Sequence, residues 1–286
     1  MPEHVVFVGG GYISMEFAGV VARAGCRVTV IEQNDQVLSG FDADLVNQLT
    51  DSLLDHGIRF QMNAKITGIE KSSDGRLHVH LANEDAPIKC GLVVHGAGRV
   101  PNIDELTLSR GEIEHSEKGI AVNEFMQNPT NPRVFATGDC ADTGLPQLTP
   151  VANEDARAAT KNLFSDKLEQ APDYGYVPKV AFTIPCIASV GLSEEAARRS
   201  NDNVKVLSDD TSSWGSVRKT GTTVAGYKLL VDSETDEILG SHLLGPSAEE
   251  TINLFALAMK FNLTATDMKS TLFAFPTFAS DVRSML

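Results

Sequence analysis

His4-Val5-Val6-Phe7-Val8-Gly9-Gly10-Gly11-Tyr12-Ile13-Ser14 joins a short apolar, β-branched run to a glycine turn and the opening of a helix. The apolar run has the composition of a buried strand, and Tyr12 to Ala24 spaces Ile13, Phe17, Val20 and Val21 as a helix does. With Ser14 in the last place the turn fits GxGxxG. Small residues there let the backbone approach a pyrophosphate, whose charge the helix N-terminus stabilises. Reading outward, Arg27 to Ile31 is a second strand ending at Glu32, about 20 residues beyond the turn. An acid at that place accepts hydrogen bonds from adenosine-ribose hydroxyls and repels the additional phosphate of NADP. The expected cofactor is therefore NAD, with NADH preferred over NADPH. The competing reading makes the glycines a structural turn and Glu32 a solvated strand end.

The next elements complete a βαβαβ unit. Asp42 to His56 sets Leu45, Leu49, Leu53 and Leu54 on one helical face, and Ile58 to Phe60 follows as a strand. Lys65 to Glu70, Leu77 to Leu81, Ile88 to Cys90 and Leu92 to His95 read as β hairpins. From about residue 101 the chain is richer in Pro, Gly and Asn, with a short strand at Val134 to Ala136 and a helix from Val151 to Phe164. Beyond about residue 176, strands at Lys179 to Thr183, Val204 to Leu207, Ala225 to Val231 and Ile238 to Leu244 alternate with helices at Glu194 to Arg199 and Ala248 to Phe261. The expected fold class is α/β: a Rossmann-type NAD(P)-binding domain over residues 1–103, a partial FAD-domain segment over 104–175, and an α+β dimerisation domain with an antiparallel sheet over 176–286.

Composition narrows the function classes. The 286 residues are 42% hydrophobic and 22% charged, and no apolar run approaches the ~18 residues of a membrane span. The start, Met1-Pro2-Glu3-His4, has neither a cationic lead nor a cleavage pattern, so a cytoplasmic location is expected. A net charge of -14 with dispersed Lys and Arg argues against nucleic acid as a partner. Cys26, Cys90, Cys140 and Cys186 are widely separated and form no CxxC or CxxxxC pair, so buried, inert thiols are expected. His78 and His80 share one strand face without a third ligand, so no metal site is expected.

Three further motifs carry chemistry. His95-Gly96-Ala97-Gly98-Arg99 places glycines after a strand, with Arg99 positioned for a cofactor phosphate or ribose. Ala136-Thr137-Gly138-Asp139 sets an acid after a short strand, where it suits a sugar-like hydroxyl chain. Leu148-Thr149-Pro150-Val151 starts a helix whose free N–H groups favour negative charge. Taken together, GGGYISMEFAG, GAGRVPN, ATGD, LTPVA, VAFTIPCIASVGLSEEAA (180–197) and LGSHLLGPSAEETINLFALAMK (239–260) resemble, in order, the pyridine nucleotide-disulfide oxidoreductases of glutathione reductase, dihydrolipoamide dehydrogenase and mercuric reductase type. The resemblance implies a pyrophosphate turn at Gly9, Gly10, Gly11 and Ser14, a ribose ligand at Glu32, and a nicotinamide end at Gly96 and Gly98. It makes Tyr12 a cover over the nicotinamide pocket and Glu16 the partner of a flavin-side lysine. Asp139, beside Gly138, would hold the FAD ribitol, and the helix after Thr149 would stabilise charge on the reduced flavin. It further implies FAD in the complete protein, a homodimer, and hydride transfer from NADH to FAD and on to a small-molecule acceptor.

Two departures from the family pattern bear on that expectation. The sequence holds no second GxGxxG and no CxxxxC, and with them goes the lysine partner of Glu16. Where disulfide reductases carry His-Pro-Thr, this chain has Phe275-Pro276-Thr277, and phenylalanine cannot shuttle protons. The chain alone is therefore expected to bind NADH and dimerise with little or no turnover, with quinones, oxygen or another acceptor left open. The alternative is a non-catalytic dimeric dinucleotide-sensing module.

Overall fold

The computed structural model describes all 286 residues. They divide into two compact units, one of residues 1–98 and 178–286, the other of residues 99–177.

The first unit begins with strand β1 (His4–Val8), helix α1 (Tyr12–Arg23), β2 (Arg27–Ile31), α2 (Ala43–Asp55) and β3 (Ile58–Gln61). An antiparallel excursion follows, through β4 (Ile66–Lys71), β5 (Leu77–Leu81) and β6 (Ile88–Cys90), before β7 (Leu92–His95). The hairpin reading fails for β7. It runs parallel to β1, Val5 opposite Leu92 and Val8 opposite His95, and closes a sheet ordered β3-β2-β1-β7. Gly91 alone separates β6 from β7, so in sequence the two strands look like one hairpin leg, while the chain in fact returns to the free edge of β1. Period-two alternation then splits the side chains. Val5, Phe7, Val28 and Val30 pack with the helices, while Val6 and Ile31 pack with Val79, Leu81 and Cys90 of the antiparallel excursion.

Helix α1 buries the opposite face from the one that its large apolar residues suggest. Ser14, Met15, Ala18, Gly19 and Ala22 lie inward, whereas Ile13, Phe17 and Val20 are exposed. Small side chains allow a close approach between helix and sheet, and that close approach excludes the bulky residues. Helix α2 follows expectation except at Leu54, which is exposed rather than on the buried face. Leu45, Leu49 and Leu53 are fully buried, and Asp42 caps its N-terminus by accepting from the N–H groups of Asp44 and Leu45.

The second unit holds β8 (His115–Ser116), β9 (Gly119–Ala121), β10 (Ala141–Asp142) and α3 (Thr149–Leu163) around a small core of Ile103, Leu108, Ile120, Met126, Ala136 and Ala158. The strand expected at Val134 to Ala136 reduces to one bridge, Phe135 opposite Gln127, because Pro132 and a turn interrupt the pairing.

The first unit resumes with β11 (Lys179–Ala181), β12 (Cys186–Gly191), α4 (Glu194–Ser200), β13 (Val204–Asp210), α5 (Gly215–Arg218), β14 (Gly226–Asp232), β15 (Ile238–Gly245), α6 (Ala248–Lys260), α7 (Ala265–Ser270) and α8 (Phe278–Met285). The sheet is antiparallel, ordered β11-β12-β15-β14-β13. One face packs on α6 through Ile252, Phe255 and Met259. On the other, Ala181, Ile187 and Leu244 share a core with Leu45 and Leu49 of α2. The nucleotide-type sheet and the antiparallel sheet thus have a common hydrophobic centre.

Candidate functional site

The turn after β1 is built by close backbone contact. Gly9 has φ +89°, and a Cβ there would lie 2.7 Å from both Ala97 Cα and the Gly96 carbonyl oxygen, so only glycine fits. A Cβ on Gly10 would lie 2.4 Å from Val37 Cγ1. Gly11 differs, as does Gly98. A Cβ on either would meet nothing within 4 Å, and both border the same open pocket. Gly11 is also the N-cap of α1 and supplies no side-chain acceptor, which leaves the first-turn N–H groups free for an anion.

The pocket has a volume of about 540 Å³ and is lined by Gly9, Gly10, Gly11, Gly96, Ala97 and Gly98 at one end. The other end is formed by Glu32, Gln33, Asn34, Gln36, Ser39 and Lys65. Glu32 is held from two sides: Oε2 accepts the Gly10 N–H at 2.6 Å, and Oε1 accepts the Asn34 N–H at 3.0 Å and Asn34 Nδ2 at 2.9 Å. Glu32 is the sole anion among the lining residues and Lys65 the sole cation. An open glycine cradle at a helix N-terminus, with a fixed carboxylate across the cavity, fits a dinucleotide.

Gly9, Gly10, Gly11, Glu32, Gly96 and Gly98 therefore come together as expected. Ser14 does not reach the pocket. It is 1% exposed, its Oγ has no hydrogen-bond partner, and a Cβ on Gly96 would lie 2.1 Å from that oxygen. Its place in the motif serves close helix-strand packing. Tyr12 is partly exposed and does not line the pocket. Glu16 Oε1 accepts the Phe182 N–H at 2.8 Å, so its partner here is the backbone ahead of β12.

The remaining expected residues lie in the second unit. Arg99 pairs with Asp139 at 3.1 Å, both half-exposed. Gly138 adopts φ +67°, and its N–H donates to Asp155 Oδ2 at 3.0 Å, while Tyr174 O–H donates to Asp155 Oδ1 at 2.7 Å. Asp155 is 1% exposed. Burial and this carboxylate push the Tyr174 phenol well up. Thr149 opens α3, whose N-cap Leu148 offers no side-chain acceptor, so N–H groups there are free for negative charge. A half-exposed acid, paired with Arg99, beside a helix N-terminus fits part of a flavin site.

All four cysteines are unpaired. Burial, reinforced by Glu249, pushes the Cys186 thiol up to about 12, and burial raises Cys90, so neither is a thiolate near neutral pH. No group of three His, Cys, Asp or Glu side chains is arranged to hold a metal. No helix is long and apolar enough to cross a membrane.

Residues 1–156 match the family model for pyridine nucleotide-disulphide oxidoreductases, and residues 177–286 match that family's dimerisation domain. The chain belongs to the pyridine nucleotide-disulphide oxidoreductase family. It is 32% identical to a glutathione reductase of Nostoc over 99% of its own length and 64% of the relative's. It is 31% identical to a mercuric reductase of Lysinibacillus sphaericus, over 99% of this chain and 52% of that one. It thus spans about half to two thirds of the length of these reductases. An uncharacterized 19.7 kDa protein of a Staphylococcus aureus mercuric resistance operon is 41% identical over 63% of this chain and the whole of its own length. Among solved structures, the HOCl-induced flavoprotein disulfide reductase RclA of Escherichia coli superposes with a TM-score of 0.90 at 26% identity, over 99% of this chain and 64% of that one. The family's members are flavin-dependent oxidoreductases.

Within that family site, sequence reasoning missed Asn34, Gln36 and Lys65. Asn34 follows the acid by two residues, a spacing at which a side-chain carboxylate can accept from the backbone N–H two positions on. Lys65 comes from the β3–β4 connection, and no local pattern brings it to the turn.

Proposed function

We propose that the chain is the NADH-binding part of a flavin-dependent oxidoreductase, whose parent reaction passes a hydride from NADH to FAD and on to an acceptor. The observation that carries this reading is the pocket, with its open Gly11 and Gly98 cradle, the free N–H groups of α1, and Glu32 fixed at the opposite end. The first-turn N–H groups of α1 hold the pyrophosphate. Glu32 accepts from the adenosine ribose, and Gly96 and Gly98 leave room for the nicotinamide end.

The preference for NADH follows from charge. A phosphate on the ribose would sit near the Glu32 carboxylate among the neutral side chains of Gln33, Asn34, Gln36 and Ser39, with Lys65 as sole compensation.

Asp139 holds the flavin's hydroxyl chain, with Gly138 and Arg99 beside it, and the N-terminus of α3 at Thr149 faces negative charge. When bound, FAD supplies the two-electron acceptor that the side chains lack. Glu16 and Tyr12 shape the hydride-transfer side. The dimerisation-domain match supports a homodimer. Phe275 in place of the family's histidine points to an acceptor other than a disulfide.

The test is to incubate the purified chain with FAD, desalt it, record the visible spectrum, and add NADH without oxygen. Saturable NADH binding by a protein with little retained flavin and little turnover is expected. A chain that binds neither NADH nor FAD would overturn the reading, and a stable flavin band that NADH bleaches would show the chain to be catalytically sufficient.

A further inference from the structure

Glu32 directly follows β2, where the chain leaves the sheet, and a glutamate at such a place has three rotatable bonds and ready access to water. Here it is fixed. Its N–H donates to the Gln61 carbonyl at 2.9 Å and its own carbonyl accepts from Ala64 N–H at 2.9 Å, which anchors the backbone to the end of β3 and to the β3–β4 connection. Its side chain is anchored by Gly10 on one oxygen and by Asn34 on the other. Asn34 is itself tied down, since its carbonyl accepts the Asn63 N–H at 2.9 Å. Asn34 thus links the acid to the loop carrying Lys65, and through Glu32 to the glycine turn.

The consequence lies in the remaining acceptor capacity of Glu32. A carboxylate has about four lone-pair directions. Gly10 and the two donors of Asn34 occupy three, and the acid keeps one direction for a donor in the pocket. A ribose hydroxyl supplies such a donor. Phosphorylating one ribose hydroxyl removes that donor and brings like charge against an oxygen that cannot swing away.

We propose that Asn34 is a positioning residue that determines specificity: it locks Glu32 so that a dinucleotide with a free ribose diol is accepted and its phosphorylated counterpart rejected. This rests on the reading of Glu32 as the ribose ligand. Asn34 is exposed and belongs to no hydrophobic core, so its replacement leaves the fold intact.

The test is to titrate the full chain with NADH and with NADPH in N34A, E32Q and the double variant, following each fold by circular dichroism. For N34A, NADH affinity should fall about tenfold, the size of a charge-assisted hydrogen bond partly replaced by water, while NADPH affinity moves less than about twofold. In the E32Q background, N34A should add nothing further. N34S, which keeps a hydroxyl donor, should lie between N34A and the unaltered chain. If N34A leaves both affinities unchanged while E32Q abolishes discrimination, the proposal fails and the reading of Glu32 stands. If N34A weakens NADH equally with and without the E32Q change, Asn34 acts directly and the proposal fails. If E32Q keeps full discrimination, the reading of Glu32 fails and takes the proposal with it.

Discussion

Replacing Lys228 by methionine tests how the nucleotide-type sheet and the antiparallel sheet are joined. Lys228 Nζ lies 2.8 Å from Asp42, 2.5 Å from Asp44 and 3.2 Å from Glu194, with the Lys228 side chain 7% and the Asp42 side chain 6% exposed. Burial pulls the Lys228 pKa down, but hydrogen bonds to Asp42 and Asp44 outweigh it and leave the ammonium held above its ordinary value. Methionine preserves the stem's volume but strands the Asp42 carboxylate without its cation. Breaking a buried pair on one side costs about 3–5 kcal/mol. For a chain of this size that is a fall in Tm of roughly 6–20 °C. Asp42 also caps α2, and asparagine caps equally well. The double variant K228M/D42N should therefore regain more than half of the loss. Thermal melts followed by circular dichroism decide the matter. A K228M melt within about 2 °C of the unaltered chain, or a double variant no better than the single one, would refute a net role for this ion cluster.

Other perturbations have defined outcomes. His242 donates Nε2–H to the Leu192 carbonyl at 3.1 Å and accepts from Ser189 at Nδ1, 2.9 Å away, and burial lowers its pKa below 6.5, with Asp42 pulling upward and Lys228 and Lys179 downward. A group favoured neutral in the fold binds more protons when unfolded. Stability should fall as pH drops below about 6.5, and H242Q should flatten that part of a Tm-against-pH profile. G96A should lose NADH binding and stability because the new methyl meets Ser14 Oγ, whereas S14A should be neutral or stabilising and should rescue G96A. No rescue would place the obstruction elsewhere. Y174F leaves Asp155 Oδ1 without a donor, so a destabilisation of about 1–3 kcal/mol is expected in denaturant melts. A change under ~0.5 kcal/mol would mean that water replaces the phenol.

The nucleotide-type sheet was legible because its signals are local. The run Val5 to Val8, the glycines and Glu32 lie within one strand-turn-helix-strand stretch, and each residue type has a backbone or charge reason to be there. The buried face of α1 is not legible in the sequence, because its large apolar residues carry a stronger periodic signal than the small ones that pack inward. The choice of face was settled by how near the helix must come to the sheet, which Ser14, Ala18, Gly19 and Ala22 permit. The parallel pairing of β7 was hidden for a topological reason, since nothing in Leu92 to His95 states which strand it will join. Helices α7 and α8 are short, and their capping boxes at Thr264/Asp267 and Thr277/Ser280 are weak signals without a long periodic run behind them. Asn34 and Lys65 entered the site through loops whose approach depends on β3 and β4 being in place. The pairing of Lys228 with Asp42 spans a sequence distance across which no pattern operates.

Calorimetric titration of the full chain with NADH probes the glycine-lined pocket itself. Saturable binding of one NADH per chain is expected, weakened when a methyl is placed in the open cradle by G11A, with much weaker binding of NADPH. Heats that show no saturable binding of either nucleotide, or binding unaffected by G11A and E32Q alike, would contradict the assignment of this pocket as the dinucleotide site.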